Sequence, residues 1–244
     1  MAGRLIVVEE VGSTQDLARE MAMAGEPDGT AVMALRQTRG RGRLGRTWIS
    51  PPGRNVALSI ILRPPMAPEE ATLMGLLASM AVADALEERG VSQVGLRWPN
   101  DVLVGGKKIA GILSEATLVD RSVEFLILGI GLNVNSNESD FPSDLMTPAT
   151  SLYLCTAVES NVEEVARDVV QRFGSLYERA KVEGCGFIPA AWERRWLHKN
   201  MWLHHEGTVG IGLGIDAQGA LLLEKDGGQV ERVTSGEVVP SPAA

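Results

Sequence analysis

The 244-residue chain has only two cysteines, Cys155 and Cys185, well separated in sequence. Neither a disulfide framework nor a Cys-x-x-Cys metal or redox motif is therefore available, and both thiols are expected to be buried or bystanders. No apolar run approaches the roughly 20 residues that a membrane helix needs. The start, Met1-Ala2-Gly3-Arg4-Leu5, has no extended apolar stretch followed by a small-residue cleavage site, so a cytoplasmic protein without membrane association is expected. Only three histidines occur (His198, His204 and His205). They read as surface residues, and no His/Cys/Asp cluster with transition-metal spacing is present, so no resident metal is expected. The net charge of −8 argues against a general nucleic-acid binder, which would carry a basic domain.

The most local absence is of acid. Between Gly29 and Pro68 there is no Asp or Glu, but there are seven arginines, which leaves −15 for the remainder of a chain whose total is −8. Four of these arginines (Arg39, Arg41, Arg43, Arg46) share eight consecutive positions with Gly40, Gly42 and Gly45, Arg39 standing just before G-R-G-R-L-G-R-T-W (Gly40 to Trp48). A loop with little side-chain bulk thus presents cations and backbone N–H donors together, which is what anion binding requires; the alternative is a solvated basic loop. The same glycines spell G-x-G-x-x-G, yet Pro51-Pro52-Gly53 follow at once and cannot continue a helix opened at Gly45. A dinucleotide fold is excluded on that ground.

Composition, with 45% hydrophobic and 22% charged residues, fits a globular chain of one large domain or a large and a small one. Residues 5–8 read as a strand. Ser13 and Asp16 then resemble a capping box ahead of Leu17, Ala18, Met21 and Ala22 at helical spacing. Strands are expected at 30–35 and 55–62, and a core helix runs from Pro68 to Gly90. Strands at 94–97 and 102–104 precede Gly105-Gly106, a two-residue hairpin signal, and a return strand from Lys107; another strand spans 123–130. Residues 136–148 read as a loop, and 162–181 and 187–196 as helices. After about Leu197 short, evenly spaced strands indicate a small barrel-like β unit packed on the larger part. The expected class is α+β, with a mixed or antiparallel sheet and flanking helices, divided at 1–196 and 197–244.

In Arg97 to Gly111 the short hairpin would bring Asp101 near a lysine, Lys107 or Lys108. Gly129 and Gly131 mark a strand end that a ligand can approach closely.

Six segments together resemble the biotin–protein ligases: Ser13-Thr14-Gln15, Gln37 with Gly40–Trp48, R-W-P-N-D (97–101), K-I-A-G-I-L-x-E (108–115), G-I-G-L-N-V-N (129–135) and G-I-D-x-Q-G-A-L-L-L (214–223). The resemblance covers nearly the whole chain. It implies a class II synthetase-like ligase fold with an SH3-like C-terminal β-barrel. It also implies a two-step reaction in which biotin and ATP give biotinyl-5′-AMP and pyrophosphate, and biotin then passes to a lysine of a biotin carboxyl carrier protein. Carried over, Ser13, Thr14, Gln37, Gly40, Arg41, Lys108 and Gly111 would hold biotin. Arg39, Arg43, Arg46, Trp48, Asn100, Gly129, Gly131 and Asn133 would lie on the nucleotide side. Lys108, Asp101 and Arg43 would be catalytic, and Mg²⁺ would arrive with ATP.

Some members carry a DNA-binding domain ahead of this segment; a monofunctional ligase that does not bind DNA is expected here. Leu44 stands where some relatives have arginine. The last basic residue is Arg232, which puts in doubt a nucleotide contact made by some relatives from a later arginine. A lipoate–protein ligase and a non-enzymatic nucleic-acid-binding module are the alternatives, and a homodimer formed through a free sheet edge is possible.

Overall fold

A computed structural model describes residues 4–241. The outermost ends of both expected domains, residues 1–3 and 242–244, lie outside that range. The larger sheet holds strands β1 (Leu5–Val11), β2 (Ala31–Gln37), β3 (Val56–Leu62), β4 (Val94–Arg97), β5 (Asp101–Val104), β6 (Lys107–Val119) and β7 (Ser122–Leu132). Their spatial order is β1-β2-β3-β7-β6-β5-β4. Only β1 and β2 run parallel, so the sheet is mixed. The Gly105-Gly106 turn between β5 and β6 takes positive φ at both positions, as a tight hairpin turn between twisted strands demands.

Helices cover both faces. On one side α2 (Ala71–Glu88) packs with α4 (Val162–Glu183) and α5 (Ile188–Glu193) over the main core. On the other, α1 (Thr14–Met23) contributes Ala18 and Ala22 to a smaller cluster with Val32, Ile61, Phe125 and Ile127. Strand β3 shows why its sequence reads as continuously apolar. Val56, Leu58, Ile60 and Leu62 face the main core, and Ile61 faces α1. A short helix α3 (Leu152–Thr156), not expected from the sequence, is capped by the Ser151 hydroxyl, which accepts from Leu154 N–H at 3.1 Å.

Several elements differ from the sequence reading for identifiable reasons. The helix expected at 187–196 stops at Glu193. The following residues leave it to run beside β4, with Leu96 N–H donating to Arg195 O at 2.8 Å and Leu197 N–H to Leu96 O at 3.1 Å. The C-terminal strands β8 (Trp202–His205), β9 (Thr208–Ile215), β10 (Leu221–Glu224), β11 (Val230–Val233) and β12 (Val239–Pro240) form an antiparallel sheet in the order β11-β10-β9-β8-β12. It is open rather than a closed barrel among the described residues. Its last strand has two residues and pairs with β8 alone, so the edges β11 and β12 do not meet.

This second sheet shares the main core through Leu203, Ile215, Leu221, Leu223, Val233 and Val238. Trp98 Nε1–H also donates to Gly219 O at 3.0 Å, which ties the R-W-P-N-D turn to it. No helix among the described residues is long and apolar enough to cross a membrane. Neither thiol is buried: Cys155 is exposed and Cys185 half-buried, because both sit on surface turns of helix.

The histidines also correct the sequence reading. His204 is exposed, but His198 and His205 are buried where the two sheets meet and where β8 passes the tail. Burial, helped by the nearby Arg97, lowers the His198 pKa from its ordinary value. The unfolded chain therefore takes up a proton first on acidification. The stability due to neutral His198 is fully present above about pH 6.5 and is lost as pH falls below it. In urea titrations between pH 7.5 and 5, His198→Asn is expected to flatten part of that loss; an unchanged pH slope would contradict it.

Candidate functional site

Residues of one parity on three neighbouring strands build the floor of the site. On the face opposite the main core, β3 presents Ala57 and Ser59, β7 presents Gly129 and Gly131, and β6 presents Gly111; Ser59 pairs with Gly129 and Ala57 with Gly131 in the ladder. Small residues leave a hollow of about 450 Å³ where apolar side chains would otherwise fill the sheet face. The hollow is closed at one side by the start of α1 and roofed by residues 41–49. Loop residues 140–147 and the tail residues Glu237 and Val238 complete the rim.

The glycines fit what lies over them. A Cβ on Gly131 would stand 2.4 Å from Cε2 of Trp48, and one on Gly129 would stand 2.8 Å from Gln15 Oε1. At Gly111 a Cβ would come within 3.1 Å of Lys108 Nζ and 3.3 Å of the Trp48 ring. The Trp48 indole thus lies flat on two glycines, with Lys108 Nζ 5.8 Å from its ring centroid.

The expected meeting of Asp101 with a lysine occurs, and the partner is Lys108. Its Nζ lies 2.6 Å from Asp101 Oδ1, and Arg97 engages the other carboxylate oxygen. A β-bulge in the β5–β6 pairing sets Asp101 opposite Gly111, while Lys107 is exposed at the hairpin tip. Asp101 itself is 7% exposed, so two cations offset the cost of burying its charge.

Each loop arginine has a defined place. Arg41 donates to Glu115 at 2.9 Å and lies 3.1 Å from Asp16. Arg43 donates to Asn100 Oδ1 at 2.9 Å and to Gly236 O at 3.2 Å. Burial lowers the Arg43 pKa, against the opposing pull of Asp101 and Glu237. Arg46 forms a forked pair with Glu237 at 2.5 and 3.1 Å, and this contact holds the Glu237 carboxyl below its usual range.

At the helix end of the hollow, Thr14 N–H and hydroxyl both reach Gln37 Oε1, at 2.7 and 3.0 Å. The expected capping role of Ser13 is not realised. Its hydroxyl makes no cap bond and is buried, at 1% exposure, without a protein partner, while Asp16 turns to Arg41. Ser13 thus lines the hollow at the start of α1 with its hydroxyl unpaired by protein.

Of the residues singled out in the sequence, Ser13, Thr14, Gln37, Arg41, Arg43, Arg46, Trp48, Asn100, Asp101, Lys108, Gly111, Gly129, Gly131 and Asn133 all line this one cavity. Arg39 and Gly40 do not. The Arg39 guanidinium lies against Gly12, outside the hollow, and Gly40 is buried where a Cβ would meet the Trp48 carbonyl at 2.4 Å. Asn133 lines the cavity, yet its Nδ2 donates to Thr150 O at 3.0 Å, which fixes it to the backbone. The sequence reading gave no role to Gln15, Ser59, Arg97, Glu115, Thr147 or Glu237. Gln15, Arg97 and Glu115 stood inside the motifs, whereas Glu237 is brought in by the tail over a separation of 191 residues from Arg46.

Fold and site together define an α+β enzyme scaffold with a glycine-floored, arginine-roofed cavity. The chain belongs to the biotin/lipoate A/B protein ligase family, whose model matches residues 7–133, and the biotin protein ligase C-terminal domain model matches residues 203–239. It is 37% identical to the bifunctional ligase/repressor BirA of Bacillus subtilis, over 98% of this chain and 74% of that protein. It is 31% identical to the biotin–(acetyl-CoA-carboxylase) ligase of Mycobacterium tuberculosis, over 97% of this chain and 88% of the relative. Its structure is similar to that of the Aquifex aeolicus biotin protein ligase in complex with biotin and ATP, at 32% identity, full coverage of both chains and a TM-score of 0.82.

The Gly131–Trp48 contact yields a direct test. Gly131→Ala must displace the indole, because the sheet backbone cannot yield by the required distance. The expected outcome is a shift in tryptophan emission that disappears when the same substitution is made in a Trp48→Phe background. An unshifted spectrum would show that Trp48 does not rest on this glycine.

Proposed function

We propose that this chain is a biotin–protein ligase that forms biotinyl-5′-AMP from biotin and ATP and transfers biotin to a lysine of a biotin carboxyl carrier protein. The observation that carries the reading is the convergence in one hollow of Lys108, Asp101, three loop arginines and a pocket end with an unpartnered buried hydroxyl. Family membership and the named relatives support the same conclusion.

In the first step a carboxylate oxygen of biotin attacks the α-phosphorus of ATP and pyrophosphate leaves. Two anions must come together, so fixed cations have to offset their repulsion and the charge that develops in the transition state. Lys108, Arg43 and Arg46 are the groups in position for this, and Arg43 is oriented by Asn100, itself fixed by donating to Ile112 O at 2.9 Å. Ser13, Thr14, Gln37, Arg41 and Gly111 form the biotin end, and Trp48 with Gly129, Gly131 and Asn133 the nucleotide side. Mg²⁺ belongs to the nucleotide substrate in this reading and neutralises its phosphates.

In the second step the carrier's lysine amine attacks the acyl carbon, a proton leaves the nitrogen and AMP departs. Asp101, next to Lys108, is the carboxylate placed to orient that amine and receive its proton. A carrier or a second copy of the chain could pair with the free edge of β1, the outermost strand of the large sheet.

Removing one transition-state donor costs about 2.7–4 kcal/mol in activation free energy. Lys108→Ala and Arg43→Ala are each expected to lower biotin-dependent pyrophosphate exchange with ATP at least about a hundredfold. Near-normal exchange in either variant would overturn the assignment. Biotin and ATP together are also expected to raise the melting temperature more than either alone, since a tightly held adenylate stabilises the folded state by mass action. Exchange supported by lipoate and not by biotin would instead favour a lipoate–protein ligase.

A further inference from the structure

Four side-chain oxygens lie in series at the helix end of the hollow: Gln15 Oε1, Ser59 Oγ, Thr14 Oγ1 and Gln37 Oε1. At one end the backbone N–H of Thr14 can only donate, so the Gln37 oxygen, 2.7 Å away, must face it. At the other end Gln15 Nε2 lies 3.0 Å from Glu115 Oε2. A carboxylate only accepts, so the amide nitrogen must point at Glu115 and the amide oxygen at Ser59.

Between these fixed ends stand three O···O contacts, of 2.8, 2.9 and 3.0 Å, and the only protons available to them are the Ser59 and Thr14 hydroxyls. Two protons cannot fill three contacts. Turning Gln15 over would fill all three, because its NH₂ would donate to Ser59, Ser59 to Thr14 and Thr14 to Gln37. That orientation would set the amide oxygen against the Glu115 carboxylate at 3.0 Å, an acceptor facing an acceptor. Ser59, Thr14 and Gln15 are 0, 3 and 4% exposed, so bulk water does not relieve the shortage.

We propose that Glu115 is a positioning residue: by holding the Gln15 amide oxygen inward, it leaves this corner of the cavity short of a proton and so makes it an acceptor for a ligand N–H. The proposal rests on the biotin reading, in which the ligand's ureido ring brings two N–H groups that can supply what the chain of oxygens lacks. Glu115 is the last residue of the K-I-A-G-I-L-x-E motif and touches Gln15, Arg19 and Arg41, at 3.0, 3.2 and 2.9 Å. It acts through Gln15 and does not itself reach the ligand.

Titration calorimetry with biotin on the wild-type chain, Glu115→Gln, Glu115→Leu, Gln15→Leu and the double Glu115→Leu/Gln15→Leu tests this. Glu115→Gln keeps a carbonyl that can accept from Gln15, so its Kd is expected within about threefold of wild type, whereas Glu115→Leu weakens binding about tenfold or more. The KM for ATP is expected to stay within about twofold in both, since the nucleotide end is untouched. In the Gln15→Leu background, the added Glu115→Leu change should cost less than about threefold, because the path through Gln15 is already cut. Three results would overturn the proposal. One is biotin affinity of Glu115→Leu within twofold of wild type. Another is the full loss reappearing in the Gln15→Leu background, which would route the effect through Arg41. The third is a parallel fall of melting temperature, biotin affinity and ATP affinity, which would mark a structural role only. Failure of the wild-type chain to bind biotin would overturn the ligase reading and this proposal with it.

Discussion

Everything at the site depends on the alternation of side chains across β3, β6 and β7. Residues of one parity on these strands are large and apolar and close the main core against α2 and α4. Those of the other parity near the site are Ala57, Ser59, Gly111, Gly129 and Gly131, with Leu113 the one large exception, so the opposite face of the same strands is hollow. A sheet that is packed on one face and empty on part of the other is rigid enough to hold a small molecule without collapsing onto its own cavity. The start of α1 and the arginine loop then have a fixed floor to work against.

Charge is distributed to match. Four of the five cations of the cavity have an internal carboxylate counterpart, Lys108 and Arg97 on Asp101, Arg46 on Glu237, and Arg41 on Glu115 and Asp16, whereas Arg43 donates to Asn100 and to the Gly236 carbonyl. Without such partners a cluster of guanidinium groups under a partly buried roof would repel itself and unfold the loop. The Arg46–Glu237 pair brings the tail to the rim of the cavity, which makes the C-terminal part a wall of the site and not only a neighbour of it. The contacts from Arg43 to Gly236 and from Trp98 to Gly219 hold that relation in place.

Much of this was legible in the sequence because it is local. The arginine loop, the Gly105-Gly106 turn, the long helices and the pairing of Asp101 with a lysine follow from composition, periodicity and hairpin register within short windows. Where the reading went astray, non-local contacts decided. The capping box expected of Ser13 and Asp16 does not form, with Asp16 drawn to Arg41 from the distant loop, and His198 and His205 were buried by a second sheet whose docking no local pattern encodes. Among the described residues the expected barrel is an open sheet, because its edge strands β11 and β12 do not pair with each other and β12 is only two residues long.

The sequence by itself determined which chemical groups the chain carries: short motifs bring arginines, a lysine, a carboxylate and glycines in the order that resembles the biotin–protein ligases. Tertiary structure decided which of those residues meet. It turned Arg39 outward against Gly12, brought Glu237 to Arg46 from the far end of the chain, and set Glu115 on Gln15 across 100 residues. The physical reason is that hydrogen-bond polarity and charge pairing are settled by what faces a group in space, and no periodicity in the chain reports that.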